Sequence, residues 1–399
     1  MTLEQMNWAL GALSAFRPLL DTEELGCLRR LLDALAAKDG VAAAGEYAAL
    51  FHALRAGGCR SLGAWLDRAL REVGSPYADL AERGGSDRAL EEAAEREIGL
   101  FRALAELDCG ELTGAIKRAA PEGFAPVAEA LPWWERECPF TFRGLTAFYR
   151  AHGAGLFARC RAFLWEGGEL LPVPDPDCPG PEEMLGYELQ RDQVEANTRA
   201  LLEGKAVNNV LLYGDPGTGK SATVKSLLSL PGMEGLRLIE VQKEGMADMP
   251  RLIRTLAGRR LKFILFIDDL TFDQDDKTYS AMKSILEGGL ERRPDNVAVY
   301  ATSNRRHLVR QTFSDRAGDE VDAVETIQEK TSLAERFGVR IPYLALKQAE
   351  FLDMVERMAE LYGVETDRQA LRAGVIRWEM RHPGRTPRTA KQFIASLSL

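Results

Sequence analysis

The chain has 399 residues, enough for two or three domains with separate cores. Hydrophobic residues make up 46% and charged residues 28%, which excludes a disordered or fibrous chain. The formal net charge of -9 provides no global attraction to nucleic acid or to an anionic membrane, so neither is a favoured partner, although a local basic face remains open.

The longest apolar run, Phe263 to Ile267, is a core strand in length and far short of the roughly 18 residues that span a bilayer. Glu4 stands early, and no basic region followed by an apolar core is present, so the start does not read as a secretory signal. A cytoplasmic location is the expectation. Cys27, Cys59, Cys109, Cys138, Cys160 and Cys178 are widely spaced with no Cys-x-x-Cys pair, which reads as free thiols rather than a zinc or disulfide framework.

Residues 1–168 read as a helical N-terminal domain. Leu25, Leu28, Leu31, Leu32 and Leu35 recur at helical spacing, as do Ile98, Leu100, Leu104 and Leu107. Gly57-Gly58, Gly84-Gly85 and Pro139 punctuate the pattern. The aromatic-rich stretch Phe157 to Trp165 and the pair Trp133-Trp134 read as helix packing. Residues 169–184 carry a run of prolines, which fix φ and remove donors, so this segment reads as a semi-rigid linker and the main domain boundary.

From there strands and helices alternate. Strands are expected at 210–213, 236–241, 262–267 and 297–302, and helices at 220–230, 250–256 and 279–290. Such alternation predicts an α/β fold, a parallel sheet with helices on both faces, over residues 185–346. Residues 347–399 return to helices, at 348–362, 367–380 and 387–397, and form a C-terminal helical lid.

Gly214-Asp215-Pro216-Gly217-Thr218-Gly219-Lys220-Ser221 fits the pattern G-x-x-x-x-G-K-[ST], directly after a predicted strand and opening a predicted helix. The glycines let successive backbone N–H groups turn toward phosphate oxygens. Lys220 is expected to reach the β- and γ-phosphates and the Ser221 hydroxyl to bind Mg²⁺, with the nucleotide contacts running on to Ala222. The apolar run Phe263 to Ile267 delivers Asp268 and Asp269 at its C-terminal end, where ligands sit in open α/β sheets. Asp268 is expected in the Mg²⁺ shell, and Asp269 at the attacking water. Asn304 ends the strand after it, with an amide suited to the γ-phosphate or that water. Arg336 and Arg388 supply guanidinium groups that can stabilise charge on a transferring phosphoryl group, from the same or a neighbouring subunit.

In this order the residues resemble the AAA+ ATPases over roughly residues 184–399. More narrowly the chain resembles an uncharacterised bacterial family of AAA+ ATP-binding proteins with a helical N-terminal region. Gly186-Tyr187-Glu188, the run Asn208 to Gly214, the run Leu286 to Leu290 and the run Ala301 to His307 carry that likeness. The resemblance implies ATP and Mg²⁺ as cofactors, Asn304 as first sensor, Arg388 as second sensor, and Arg336 as an arginine finger serving a neighbour in a homo-oligomer. It places Tyr187 beside the adenine. Two features depart from the pattern. Asp269 stands where most AAA+ ATPases have Glu, one methylene longer, although helicase-loader-like members share the Asp-Asp pair. Residues 242–249 lack the aromatic residue that AAA+ unfoldases use to grip a polypeptide. The expected function is an Mg-ATP-dependent ATPase, slow in turnover, that drives conformational change or assembly of a protein client. The alternatives are an ATP-dependent binding switch and a helicase-loader-like protein acting on DNA.

Overall fold

The computed structural model describes residues 1–270, 282, 286, 293–304, 335–382 and 384–397, which fall into two compact units, Met1–Arg159 and Cys160–Leu399. The expected helix at 279–290 lies outside the described residues, apart from positions 282 and 286, and so does the polar segment 308–332, whose sequence carries Asp319, Glu320, Asp322 and Glu325.

The first unit is helical throughout. Its helices begin where short polar side chains satisfy otherwise unpaired backbone N–H groups. Ser61, Ser75, Asp87, Asp108 and Thr141 each accept such a bond at a helix start. Leu25, Leu28, Leu31 and Leu32 are buried, while Leu35 packs at the margin, so the leucine stripe is the core face of the Glu23–Ala36 helix. Trp134 is buried and stacks on Tyr47 with centroids 5.1 Å apart, whereas its neighbour Trp133 stays 68% exposed.

The second unit is built on a seven-stranded sheet: β1 (Ala162–Glu166), β2 (Glu169–Val173), β3 (Val210–Gly214), β4 (Leu236–Val241), β5 (Lys262–Ile267), β6 (Val297–Ser303) and β7 (Val339–Tyr343). The order across the sheet is β2-β1-β4-β5-β6-β3-β7. All neighbours are parallel except the β1–β2 pair. β5 and β6 occupy the middle of the sheet, and from Phe263 onward and along the whole of β6 every residue is buried. Near-continuous apolar runs of this kind are what a parallel sheet covered on both faces demands. The crossover helices Lys220–Ser226 and Met249–Leu256 begin at the expected places, the first tightening into a 3₁₀ turn over Leu227–Ser229. After β7 the helices Gln348–Leu361, Arg368–Glu379 and Pro387–Leu397 close around a small core of Phe351, Val355, Leu371, Val375 and Phe393.

Two expectations are corrected. The boundary between the units falls between Arg159 and Cys160, about ten residues before the proline-rich segment. That segment is no spacer. Residues 162–173, read as helix and linker, form a hairpin on the sheet's edge, its turn made by Gly167 and Gly168 with φ of 59° and 80°. A two-residue turn with both central φ values positive matches strand twist and requires glycine-like residues. Pro172 is accommodated because β2 is an edge strand, paired on one side only.

Candidate functional site

The C-terminal ends of β3, β5 and β6 converge on one cavity of about 550 Å³, closed on its other sides by the 177–187 segment and the lid. The loop after β3 curls because of Gly214. Its φ is +132°, and a Cβ there would lie 2.2 Å from the Tyr343 carbonyl oxygen on β7. The Asp215 N–H then donates to that same carbonyl at 2.8 Å, and the Asp215 carboxylate accepts from the Ala345 N–H at 2.7 Å, on the segment that leads to the lid. Thr218 closes the loop from within, donating to the Asp215 carbonyl at 2.8 Å.

Lys220 is buried, and its ammonium lies across the loop mouth, donating to the Gly214 carbonyl at 3.1 Å and the Asp215 carbonyl at 2.7 Å. Burial lowers its pKa. The carboxylates of Asp215, Asp269 and Asp268 pull the other way, and Arg388 adds to the lowering. A buried cation bonded only to neutral carbonyls is a poised anion receptor.

Ser221 lies in the first turn of the following helix and donates its hydroxyl proton to Asp268 Oδ1 at 2.5 Å. The same oxygen accepts from the Thr302 hydroxyl at 2.5 Å and from the Asp269 N–H at 3.2 Å. Among the described residues Asp268 Oδ2 accepts no hydrogen bond. Asp269 adopts φ +48°, and Asn304 Nδ2 donates to its Oδ1 at 2.8 Å. The backbone N–H of Asp269 donates to Thr302 Oγ1 at 2.9 Å. The sheet register explains the grouping: Ile267 of β5 sits beside Ala301 of β6, so the next residue on each strand brings Asp268 to Thr302.

The oxygen donors here suit Mg²⁺. Ser221 and Asp268 offer a hydroxyl and a carboxylate, hard ligands of the kind that ion takes together with water and phosphate oxygens. Among the described residues no group of three or more His, Cys, Asp or Glu side chains forms an all-protein cage.

Tyr187 and Gly186 stand at the far end of the cavity, both with positive φ. The Tyr187 ring stacks on Tyr343 with centroids 5.0 Å apart, and its hydroxyl donates to the Leu344 carbonyl at 2.7 Å. Burial pushes up both phenols, that of Tyr343 to about 12. Arg388 lines the cavity from the lid, its backbone N–H donating to the Gly217 carbonyl at 3.2 Å. Among the described residues its guanidinium forms no ion pair or hydrogen bond.

Of the residues picked from sequence, Tyr187, Pro216 to Ala222, Asp268, Asp269, Asn304 and Arg388 share the cavity wall, with Gly214 and Asp215 shaping the loop behind it. Arg336 is exposed just before β7 and does not line the cavity. Sequence reasoning missed Thr302 and the wall made by Asp177, Cys178 and Pro179.

A parallel sheet running β7-β3-β6-β5-β4, with a G-x-x-x-x-G-K-S loop after β3, acidic residues after β5 and a helical bundle after β7, is a P-loop nucleotide-binding fold of the AAA+ kind. Residues 158–398 match the family described as a protein of unknown function, DUF815, and the chain belongs to it. No curated protein matches the chain. Solved structures similar to it include the RuvB Holliday junction branch migration motor of Thermotoga maritima, at 19% identity over 55% of this chain and 63% of that one, TM-score 0.36. A point mutant of the same RuvB matches at 18% identity over 53% and 61%, TM-score 0.36. The chain thus spans about three fifths of the length of these structures. Among the described residues no helix is long and apolar enough to cross a membrane.

Proposed function

We propose that the chain binds Mg-ATP and hydrolyses it, and that turnover drives conformational change or assembly of a protein partner within a homo-oligomer. The observation that carries this reading is the single hydrogen-bonded cluster at the C-terminal ends of the central strands. Ser221 on the phosphate loop, Asp268 and Asp269 after β5, and Asn304 after β6 are joined through bonds of 2.5 to 3.2 Å around one cavity.

Each residue then has one task. Lys220 gives its charge to the β- and γ-phosphates in place of the loop carbonyls it now holds. Ser221 and Asp268 would hold Mg²⁺, which would supply positive charge beside the phosphate oxygens. Asp269 accepts the proton of the water that attacks the γ-phosphorus while the bond to the β,γ-bridging oxygen breaks and ADP leaves, and Asn304 fixes the orientation of that carboxylate. Arg388 stabilises the charge that develops on the γ-phosphoryl group, and Tyr187 borders the base. Arg336, exposed and away from this cavity, serves the site of a neighbouring copy, and residues 1–159 act as the adaptor for the client. The test is steady-state phosphate release: activity that disappears in Lys220→Ala supports the reading, and release equal in the two proteins, with or without partner, contradicts it.

A second reading, a binding switch with little turnover, is favoured by one observation. The short Asp269 carboxylate is already engaged by Asn304, and the residue is held at φ +48°, a conformation that costs on the order of 1 kcal/mol for a non-glycine residue. Sizing with ADP and with a non-hydrolysable ATP analogue separates the two: a nucleotide-dependent change in assembly without phosphate release supports the switch.

A further inference from the structure

The Thr302 hydroxyl joins both acidic residues at once, and nothing in the P-loop pattern calls for it. Thr302 is buried, on β6, two residues before Asn304. The direction of each hydrogen bond follows from the groups. An ionised carboxylate can only accept, so the hydroxyl spends its single proton on Asp268 Oδ1 at 2.5 Å. Its lone pair is then left for the Asp269 N–H, which donates to it at 2.9 Å. One hydroxyl therefore clamps the side chain of Asp268 and the backbone of Asp269.

The two clamps do different work. Asp268 Oδ1 is filled by Ser221, Thr302 and the Asp269 N–H, so the carboxylate is held with Oδ2 as its remaining acceptor. The bond from Asp269 holds that residue at φ +48°, where a non-glycine residue is strained and needs its surroundings to keep it. Leu270 adds a second tie to the same residue, its N–H donating to the Thr302 carbonyl at 2.7 Å. Thr302 thus sets the separation between the acid that faces the metal and the acid that faces the water.

We infer that Thr302 is a positioning residue for the hydrolytic step, coupling metal binding at Asp268 to the placement of Asp269. This rests on the proposed Mg-ATP hydrolysis. Of the two acids Asn304 engages only the Asp269 side chain, whereas Thr302 engages both.

The experiment compares Thr302→Val, isosteric but without the hydroxyl, with Thr302→Ser, which keeps it. Phosphate release and ATP binding are measured across a Mg²⁺ titration. In Thr302→Val, kcat falls about 100-fold, the loss expected for a misplacement near 1 Å, while KM for ATP stays within about threefold. The Mg²⁺ concentration for half-maximal rate rises, ATP affinity without Mg²⁺ is unchanged, and Thr302→Ser recovers most of the rate. A merely structural threonine would lower the melting temperature and leave the Mg²⁺ dependence alone. Wild-type kcat and wild-type Mg²⁺ dependence in Thr302→Val overturn the inference. If the wild type itself releases no phosphate, the ATPase reading fails, and Thr302 is judged on binding alone: the tightening of ATP by Mg²⁺ must weaken in the valine variant and return in the serine one. Should Thr302→Val not fold, Thr302→Ala carries the same comparison.

Discussion

Each unit holds a carboxylate that collects several hydrogen bonds, and the two are put to opposite uses. In the first unit Glu97 is buried, and both its oxygens are engaged. Oε1 accepts from the Ser14 N–H, the Ser14 hydroxyl and the Ala15 N–H at 2.7, 2.7 and 3.0 Å, and Oε2 accepts from the Phe16 N–H at 2.8 Å. It ties the end of one helix region to the middle of another, 83 residues away in sequence. In the second unit Asp268 is exposed, gathers three bonds on one oxygen, and keeps the other oxygen at the cavity. The two acids differ less in the number of bonds than in where they stand: Glu97 has both oxygens engaged, while Asp268 lines a cavity and, among the described residues, has one oxygen that accepts no hydrogen bond.

Swapping charge for an amide at the two positions tests this contrast most severely. Asp268→Asn removes a hard ligand and is expected to lower phosphate release about 100- to 1,000-fold, with little change in melting temperature. Glu97→Gln replaces one acceptor by a donor among four donors, so the first unit loses about 1–3 kcal/mol of stability while phosphate release per folded molecule holds. Thermal melts and phosphate assays on the same preparations check both. A Glu97→Gln protein that folds normally and loses activity breaks the comparison.

Between these two lies Lys220→Ala. Removing the buried cation is expected to weaken ATP about 100-fold, roughly 2.7 kcal/mol, read by calorimetric titration. Unchanged affinity would mean that the phosphates do not enter the loop.

The smallest effect is expected in the lid. Hydrogen bonds from Arg368 and Arg372 hold the Glu356 carboxyl at about 2, below its ordinary 4.5. A depressed carboxylate contributes stability that is present above about pH 4.5 and is lost as the pH falls toward 2. The melting temperatures of wild type and Glu356→Gln should therefore differ slightly at pH 7 and converge only as the pH falls through about 2. A gap that does not change with pH contradicts the ion-pair explanation.

Much of the second unit was legible because its strands carry the signal of a fully buried parallel sheet. β4 and β5 fall where the apolar runs stand, and β3 and β6 run one residue beyond them. The phosphate loop was legible because its chemistry is local: backbone turn, cation and hydroxyl lie within eight residues. The β1–β2 hairpin was not. Phe157 to Trp165 is apolar at spacings that suit a helix as well as a strand, and the prolines that follow argue against any strand except one on an edge. The one turn signal is Gly167-Gly168 between two apolar stretches, and it went unread. Thr302 was hidden for another reason. Its two hydrogen bonds depend on the register between β5 and β6, which no local pattern encodes. The wall at Asp177 to Pro179 has the same character, being made by a chain that returns to the sheet after the hairpin.

The central claim is that Asp269 is the base of a hydrolytic Mg-ATP site, and a single-turnover experiment on Asp269→Asn tests it most directly. The protein is mixed in excess with labelled Mg-ATP, and bound nucleotide and released phosphate are followed together. ATP should bind as in the wild type while phosphate appears at least about 100 times more slowly, the contribution of a positioned general base. Phosphate released at the wild-type rate from fully bound Asp269→Asn would contradict the account.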